Sequence, residues 1–441
     1  MNLQTLLAWQ AGMLTKKLIV TRGKSRGETA PGLVALKFDP QFVANHQGQF
    51  DTRIIISGTN GKTTTTSMVL GILQKSKIKA VSNPSGSNLL RGIASALIDV
   101  SPKIKTAVWE IDEAALIPVT TQVKPTHILL TNLFRDQLDR YGEIDTIAKK
   151  WLKLLQALPK TILLLNRDDP SLVYIGSQLP QHKIVYFGLE PSNNKQIPTH
   201  GADAIFCPNC HKPLQYQSIT YSHLGNYTCN CGFKQPKAQF VAKHLELKTS
   251  QLLFDIEDQK YLAPLSGMYN IYNSLAAIAL AKNLAIQDKI IKNSLKAFTP
   301  AFGRQEIFKI GDKALQLLLV KNPTGFNEVI SMLKNLGKKI TIAIAINDKI
   351  ADGTDVSWLW DVDFESLQPY INKVIVTGDR ALDMAVRLKY AGFNPKQYLI
   401  HKDKSKALAT LINQTDKNLY LLPTYTAMWE MREIIKKYKN L

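Results

Sequence analysis

The stretch Ile54-Ile-Ile-Ser-Gly-Thr-Asn-Gly-Lys-Thr-Thr-Thr-Thr66 decides how this chain folds. An apolar run leads into a small turn, and the helix-compatible run Ser67-Met-Val-Leu-Gly-Ile-Leu follows, so the pattern predicts a strand, a tight loop and a helix. Such a loop closes backbone N–H groups on a phosphate, and the helix N-terminus adds partial positive charge. In this interpretation Lys62 reaches the outer phosphates and the Thr63 hydroxyl binds Mg²⁺.

This loop is shorter than the common phosphate-binding pattern, which has a glycine five residues before the second one. That position is Ile56 here, and the first glycine is Gly58. The alternative is a strand, a turn and a helix that meet at a glycine-rich corner and bind nothing. The strand and the helix on either side favour the phosphate loop.

The composition is that of a globular protein, with 441 residues, 45% apolar and 20% charged, which suits two or three domains. The net charge of +20 predicts an anionic partner such as nucleic acid, a membrane face or a phosphorylated substrate; plain solubility is the alternative. No apolar run approaches the ~20 residues of a membrane span, and the amphipathic N-terminus does not resemble a signal peptide. We therefore expect a cytosolic protein.

From residue 50 onwards strand patterns alternate with helical ones, which predicts parallel α/β sheets. The first series has predicted strands at Arg53–Ser57, Thr106–Glu110, His127–Thr131, Thr161–Leu165 and Lys183–Phe187, and helices at 63–75, 88–99, 144–157 and Ile271–Asn283. The second series has strands at Leu315–Val320, Ile340–Ala345, Lys373–Thr377, Gln397–Ile400 and Leu419–Leu422, and a final helix at Met428–Lys437.

The stretch Ala297–Glu306 has Pro, Gly and no period, so it is the predicted domain boundary. We expect an N-terminal helix and loop at 1–49 that packs on a central ATP-binding domain at 50–302. A Rossmann-like α/β domain follows at 303–441. Residues 201–240 interrupt the strand–helix rhythm and hold all four cysteines.

Polar side chains follow three successive predicted strands. They lie in Val108–Glu113, in Thr131–Gly142 and in Leu165–Pro170. In an open parallel sheet, ligands bind at the carboxyl ends of the strands, so one shared site is the simplest interpretation. Carboxylate oxygens there suit Mg²⁺, which makes Glu110 a candidate metal ligand.

Five ordered motifs resemble those of the Mur ligase family. They are Gly58-Thr-Asn-Gly-Lys-Thr-Thr64, Thr131-Asn-Leu-x-Arg-Asp-x-Leu-Asp139, Asn166-x-Asp-Asp-Pro170, Gly267-x-x-Asn-x-x-Asn-x-x-Ala-Ala277 and Gly303-Arg304. These ATP-dependent enzymes join amines to carboxyl groups of peptidoglycan precursors through an acyl phosphate. The resemblance implies a Mur-ligase-like P-loop ATPase domain with ATP and Mg²⁺ as cofactors.

The resemblance also implies roles for individual residues. Lys62 and Glu110 would be catalytic, and Thr63 and Glu110 would bind Mg²⁺. The ATP-binding residues would be Gly58, Thr59, Asn60, Gly61, Lys62, Thr63, Thr64, Asn273 and Arg304. Gln137 departs from the family, since many members have a histidine there, and we assign no carbamylated lysine although Lys149 and Lys150 are near the expected place.

The cysteines form two close pairs, Cys207/Cys210 and Cys229/Cys231. Four thiolates suit tetrahedral Zn²⁺, and a site with no open position is structural rather than catalytic. We therefore predict a zinc ribbon inserted at about 202–236, and free thiols are the alternative.

A zinc ribbon inside a Mur-type ATPase domain narrows the resemblance to the amidating members of the family. These convert the α-carboxyl of D-glutamate in lipid II to an amide, at the inner face of the cell membrane. Their ammonia comes from a partner, a class I glutamine amidotransferase subunit of the GatD type. All four cysteines fit the zinc spacing, so no nucleophilic cysteine of a glutaminase remains in this chain.

In the amidating ligases an aspartate of the synthetase subunit is thought to complete the catalytic triad of the partner. The loop Asp348–Asp361 is the expected place, with Asp355 as the first choice and Asp352 as the second. The alternative is that these acids cap the helix that carries Trp358 and Trp360.

Two other functions compete with amidation. One is a Mur or folylpolyglutamate-type ligase that adds an amino acid. The other is a nucleic-acid-binding protein that uses the basic charge and the ribbon, but this leaves the ATPase motifs unexplained, and we expect no nucleic-acid partner.

Overall fold

The computed structural model describes residues 2–21, 29–84, 86–135, 144–191, 203–248, 251–299 and 304–439, with the side chains of residues 304, 305 and 439 left out. The chain divides into two compact units. The first lies within Met1–Phe134, Glu143–Ile197 and Ala204–Thr299, and the second lies mainly within Pro300–Leu441.

The first unit contains a nine-stranded sheet and a separate hairpin. Its strands are β1 Thr52–Ser57, β2 Ala80–Ser82, β3 Thr106–Glu110, β4 His127–Leu130, β5 Ile162–Asn166, β6 Ile184–Leu189, β7 Gln215–Tyr221, β8 Leu224–Thr228, β9 Phe240–Lys248, β10 Gln251–Ile256 and β11 Gln259–Ala263. The sheet order is β11-β10-β9-β6-β5-β4-β1-β3-β2. From β9 to β2 in this order, all neighbouring strands are parallel. Strand β10 is antiparallel to both β9 and β11, and β7 and β8 form the separate hairpin.

Helices cover this sheet. They are α1 Leu3–Thr21, α2 Ala30–Phe38, α3 Phe42–His46, α4 Lys62–Lys75, α5 Leu90–Ile98, α6 Leu116–Val123, α7 Ile144–Gln156, α8 Pro170–Ser177, α9 Met268–Asn283 and α10 Asp288–Lys296. Three consecutive isoleucines of β1, Ile54 to Ile56, are fully buried. A strand in the middle of a parallel sheet is covered on both faces, which explains the unbroken apolar run.

The second unit holds a six-stranded sheet in the order β12-β13-β17-β14-β15-β16. Its elements are β12 Arg304–Ile310, β13 Lys313–Leu318, α11 Pro323–Lys334, β14 Ile340–Ala345, α12 Phe364–Leu367, β15 Ile371–Thr377, α13 Ala381–Tyr390, β16 Tyr398–Ile400, α14 Lys404–Ile412, β17 Asn418–Pro423 and α15 Tyr425–Lys439. Strands β12 and β13 form an antiparallel hairpin, and the remaining neighbours are parallel. Both units therefore have the predicted parallel α/β architecture.

Two expectations need correction. The strand predicted at Leu315–Val320 is β13, which begins two residues earlier because the turn at Gly311 (φ 59°) pairs it with β12. The N-terminal region, predicted as a helix and a loop, contains α1, α2 and α3, and Pro31 lies in the first turn of α2, where its missing N–H costs no helical hydrogen bond.

The N-terminal helices pack within the first unit. Trp9 donates to the carbonyl of Ile98 (2.8 Å), and the N–H of Gly32 donates to Ser95 Oγ (2.8 Å), so α1 and α2 both contact α5. Among the described residues, no helix combines the length and the apolar character that crossing a bilayer requires.

Candidate active site

The phosphate loop lies between β1 and α4. Gly58 (φ 133°) and Gly61 (φ 86°) both have left-handed backbone conformations, which glycine adopts without strain. A Cβ atom on Gly61 would lie 1.9 Å from Asn273 Oδ1, and one on Gly58 would lie 2.3 Å from Thr131 Oγ1. Only glycine therefore fits at these two corners of the loop.

Residues after β4 hold this loop in place. Asn132 Oδ1 accepts from the N–H of Asn60 (2.8 Å), and Thr131 Oγ1 donates to the carbonyl of Asn60 (2.8 Å). The N–H of Phe134 donates to Thr59 Oγ1 (2.9 Å). The loop is thus fixed from a neighbouring strand end, as a preorganised anion site requires.

Lys62 is buried at the first position of α4, with its side chain 9% exposed. Its Nζ lies 2.6 Å from Glu113 Oε2 and 2.5 Å from the carbonyl oxygen of Gly58. Trp151 Nε1 donates to the carbonyl of Glu113 (3.1 Å), which anchors that residue. The sequence interpretation missed Glu113 as a partner of Lys62, although it ends the stretch that was singled out around Glu110.

Thr63 Oγ1 donates to Glu110 Oε1 at 2.7 Å, and both side chains are buried. Adjacent oxygen ligands on an octahedral Mg²⁺ are about 3 Å apart, because each Mg–O bond is about 2.1 Å. The pair therefore fits two neighbouring ligand positions. Asn83 exchanges hydrogen bonds with the backbone N–H and carbonyl of Glu110 (both 2.9 Å), another contact that sequence reasoning did not find.

Asn273 on α9 reaches the same loop. Its Oδ1 lies 3.5 Å from Thr65 Oγ1, and its Nδ2 donates to Asn270 Oδ1 (3.0 Å). Thr64 is buried at the start of α4. Of the other predicted residues, Gln137 lies outside the described residues, and Arg304 is described only by its backbone, which pairs with Leu318 in the second unit.

The loop after β5 joins this group, as the pattern of three polar strand ends predicted. Asn166 Nδ2 donates to the carbonyl of Thr131 (3.1 Å), and Asp169 Oδ2 accepts from the N–H of Leu133 (2.7 Å). Between them, burial raises the pKa of Asp168 to about 6, against the opposing effect of the N–H of Leu189 (2.8 Å), which donates to it. Asp168 also accepts from Gln235 Nε2 (2.6 Å).

The four cysteines lie together beyond the ends of the β7–β8 hairpin, with all four Sγ atoms within 4.8 Å of one another. Cys207 and Cys231 Sγ are 3.6 Å apart, and Cys210 and Cys229 Sγ are 3.4 Å apart. Four thiolates at Zn–S distances of about 2.3 Å lie about 3.8 Å apart, so the cluster fits a tetrahedral ion. The N–H of Cys231 lowers the pKa of Cys229 to about 7, which favours the thiolate there.

The tip of this hairpin inserts His223 beside the loops of the site. The His223 side chain is fully buried, and its ring lies 4.7 Å from the ring of Phe134 and its Nε2 3.7 Å from Asp169 Oδ2. Neither ring nitrogen has a hydrogen-bond partner among the described residues. No sequence motif pointed to this contact, because it depends on where the hairpin folds back.

The two candidate aspartates of the second unit differ sharply. Asp352 is buried and accepts from both the N–H (2.7 Å) and the hydroxyl of Thr426, and burial raises its pKa. Asp355 is exposed and accepts from the N–H (2.8 Å) and Oγ (2.9 Å) of Ser357, which lower its pKa. Asp355 therefore bonds the first residue of the 3₁₀ helix Ser357–Asp361 from the position before its N-cap, Val356, and it is exposed.

Sequence comparisons with known proteins match both units of this chain to one family. The Mur ligase middle domain matches residues 56–281, and the MurT ligase C-terminal domain matches residues 319–428. The lipid II isoglutaminyl synthase (glutamine-hydrolyzing) subunit MurT of Streptococcus pneumoniae is 37% identical, over 99% of this chain and 98% of that protein. The subunit of the same name from Staphylococcus aureus is 36% identical, over 96% of each.

Solved structures agree at the level of the fold. A pseudomurein peptide ligase type C from Methanothermus fervidus has a TM-score of 0.68 at 24% identity, covering 90% of this chain and 81% of its own. MurF from Acinetobacter baumannii has a TM-score of 0.67 at 16% identity, covering 92% and 80%.

Proposed function

Because the chain belongs to the Mur ligase family and, within it, to the MurT subunits of lipid II isoglutaminyl synthase, we propose that it amidates the α-carboxyl of D-glutamate in lipid II with ATP. The identity of 36–37% to two MurT subunits over nearly the whole chain supports this substrate. The observation that carries the chemistry is the buried arrangement of Lys62, Thr63 and Glu110 at the phosphate loop.

The first step we propose is phosphoryl transfer to the substrate. A carboxylate oxygen attacks the γ-phosphorus of ATP, ADP leaves, and an acyl phosphate forms. Thr63 and Glu110 would hold Mg²⁺, which offsets the phosphate charge when bound. The Lys62 ammonium stabilises the charge on the phosphoryl oxygens, and the backbone N–H groups of the loop orient them.

Glu113 has a supporting part in this proposal. It holds the Lys62 ammonium at 2.6 Å, within the buried loop. A triphosphate bound in the loop competes with Glu113 for the same cation. Together with the carbonyl oxygens of Gly58 and Thr59, Glu113 keeps the Lys62 ammonium at the loop, so that its flexible chain does not have to be ordered at each binding event.

In the second step ammonia attacks the acyl carbon, phosphate leaves, and the amide forms. The four cysteines of the chain lie in one cluster, so we assign the glutaminase to a partner subunit of the GatD type. Asp355 is the proposed third member of its triad, since its carboxylate, which accepts from Ser357, is exposed to a histidine of another chain, whereas Asp352 is buried against Thr426.

We assign the cysteine cluster to a structural zinc ribbon that holds the β7–β8 hairpin. Metal analysis of the folded chain should find one zinc ion per chain, and a Cys207→Ser, Cys229→Ser variant should lose it. Folded wild-type protein without zinc would contradict the assignment.

The test of the function is amidation by the chain together with its glutaminase partner. With lipid II, ATP and either glutamine or ammonium, we expect D-isoglutamine in the stem peptide and one ADP per amide. The same reaction with free amino acids in place of the nitrogen source tests the amino-acid-adding alternative, which the match of residues 319–428 to the MurT C-terminal domain does not favour. Absence of an amidated product from both nitrogen sources would overturn the proposal.

A further inference from the structure

Helix α1 has apolar residues on two opposite faces. One face is made of small residues and is buried in the unit; its buried members are Thr5, Ala8 and Gly12. The opposite face is exposed and carries four leucines, which we call the leucine stripe: Leu3 (74% exposed), Leu7 (50%), Leu14 (60%) and Leu18 (49%). At 100° per residue these four positions fall within about 60° of arc, so they form one narrow line along the helix.

A line of exposed leucines is unusual on a water-facing helix, which normally turns its apolar residues inward. The neighbouring helix α2 also carries exposed apolar side chains, Leu33 (44% exposed) and Phe38 (55%). Phe38 lies beside the start of α1, because Gln4 Nε2 donates to its carbonyl (2.9 Å). The N-terminal helices therefore leave an apolar surface that nothing in the described chain covers.

The charge around this surface is positive. The charged side chains of α1 and α2 are Lys16, Lys17 and Lys37, and neither helix carries an acidic residue. Lys17 is exposed on α1 and Lys37 on α2, and Lys16 is paired with Asp99. An exposed apolar stripe with a lysine beside it suits a membrane with anionic lipids, although α1, which is apolar on its buried face too, lacks the one-sided amphipathicity of many such helices.

We propose that α1 lies on an anionic lipid surface, with the leucine stripe at the acyl boundary and Lys17 and Lys37 among the headgroups. Charge complementarity favours lipid over a second copy of this chain, since two copies would bring two basic surfaces together. This inference rests on the proposed function for its role, since the contact would bring the enzyme to a lipid-linked substrate. The contact itself can be tested without any turnover.

The test is sedimentation of the full chain with vesicles of phosphatidylglycerol and phosphatidylcholine, compared with vesicles of phosphatidylcholine alone. We expect binding to the anionic vesicles that weakens with salt. Leu7→Gln and Leu14→Gln should each lower the partition coefficient about tenfold, and Lys17→Gln about fivefold on anionic vesicles only. These side chains are exposed, so the variants should keep the melting temperature of the wild type.

The matched control is Leu382→Gln with Val386→Gln, which removes two exposed apolar side chains one turn apart on α13 (59% and 46% exposed). This variant should bind vesicles like the wild type. Equal loss in the control, or no binding of the wild type, would overturn the proposal. So would a wild-type dimer that Leu7→Gln converts to a monomer, or loss of the glutaminase partner in that variant, because another protein would then cover the stripe.

Two substrates separate this inference from the proposed function. With a water-soluble, short-chain lipid II in solution, the Leu7→Gln, Leu14→Gln double variant should amidate at the wild-type rate. With lipid II embedded in anionic vesicles, its rate at low substrate should fall about as much as its vesicle binding. If the wild type amidates neither substrate, the function fails while vesicle binding still decides the inference.

Discussion

In both parallel sheets of this chain, polar loops follow the carboxyl ends of the strands, which we call the edge of each sheet. The ion pairs at the two edges differ in how deeply they are buried. At the carboxyl ends of the first sheet, Lys62 and Glu113 pair at 2.6 Å while their side chains are 9% and 3% exposed. At the edge of the second sheet, Asp348 pairs with Arg380 at 2.9 Å while their side chains are 32% and 38% exposed. Lys404 and Glu430 pair at 2.9 Å with side chains 17% and 33% exposed.

This difference separates a built site from a charged surface. Buried charges must be matched by fixed partners, so the first edge is preorganised around a helix N-terminus. Exposed pairs contribute about 0–1 kcal/mol each and can exchange partners at little cost. Topology alone therefore does not decide which sheet edge forms a site, and neither does burial alone, since Asn347 and Asp352 are buried at the second edge; the first edge is distinguished by a glycine loop with a buried cation at a helix N-terminus.

The largest expected effect is at the first edge. Lys62→Met should lower ATP-dependent amidation at least about a thousandfold, roughly 4 kcal/mol of transition-state stabilisation, because the buried cation that faces the phosphoryl group is gone. The Lys62→Met, Glu113→Gln double variant removes both members of the buried pair and controls for folding. A folded double variant with near-normal activity would place the phosphate site elsewhere.

The second edge should respond selectively. Asp355→Asn should reduce glutamine-dependent amidation at least about a hundredfold, since an amide orients and stabilises a catalytic imidazolium poorly. Ammonium-dependent amidation should stay near the wild-type rate. Equal loss of activity with both nitrogen sources would assign Asp355 to the ligase reaction. Unchanged activity with both would mean that Asp355 only bonds Ser357 and has no part in the reaction.

The third prediction concerns pH and the buried acid of the first edge. The pKa of Asp168 is raised to about 6, so the folded state binds its proton more tightly than the unfolded state does. Its contribution to stability is complete below about pH 4 and is lost as the pH rises through 6. A shift of two pKa units corresponds to about 3 kcal/mol.

Asp168→Asn should remove this part of the pH dependence. Urea unfolding between pH 4 and 7 should show a smaller fall in the free energy of unfolding than in the wild type. Asp355→Asn is the comparison, because the pKa of that exposed acid is lowered and its proton is lost below this range. Identical pH profiles for wild type and Asp168→Asn would contradict the raised pKa.

The smallest expected effect is at Asp352. Asp352→Asn places an amide where the N–H and hydroxyl of Thr426 need an acceptor, which should cost about 1–2 kcal/mol of unfolding free energy. Denaturation followed by tryptophan fluorescence measures it, with Trp358 and Trp360 nearby in sequence. Glutamine-dependent activity should persist at permissive temperature, and its selective loss would make Asp352 the functional acid.

Strand positions were largely predictable from local pattern. Strands β3 and β14 have the predicted bounds, Thr106–Glu110 and Ile340–Ala345, because each is a short, mostly apolar run that is buried along its whole length. The predicted bounds of β13 were shifted by two residues because its start depends on a hairpin turn with β12. The local pattern of one strand does not reveal which strand it pairs with.

The sequence by itself determined the loop Gly58–Thr64 between a strand and a helix, its glycine corners, the polar strand ends and the two cysteine pairs, since each is a short pattern with local physical meaning. Only the tertiary structure decided that Lys62 meets Glu113, that His223 packs against Phe134, and that Asp352 is buried while Asp355 is exposed. The reason is that contacts between distant residues, and the burial that shifts a pKa or hides a carboxylate, depend on strand order and on how loops fold over the sheet edge.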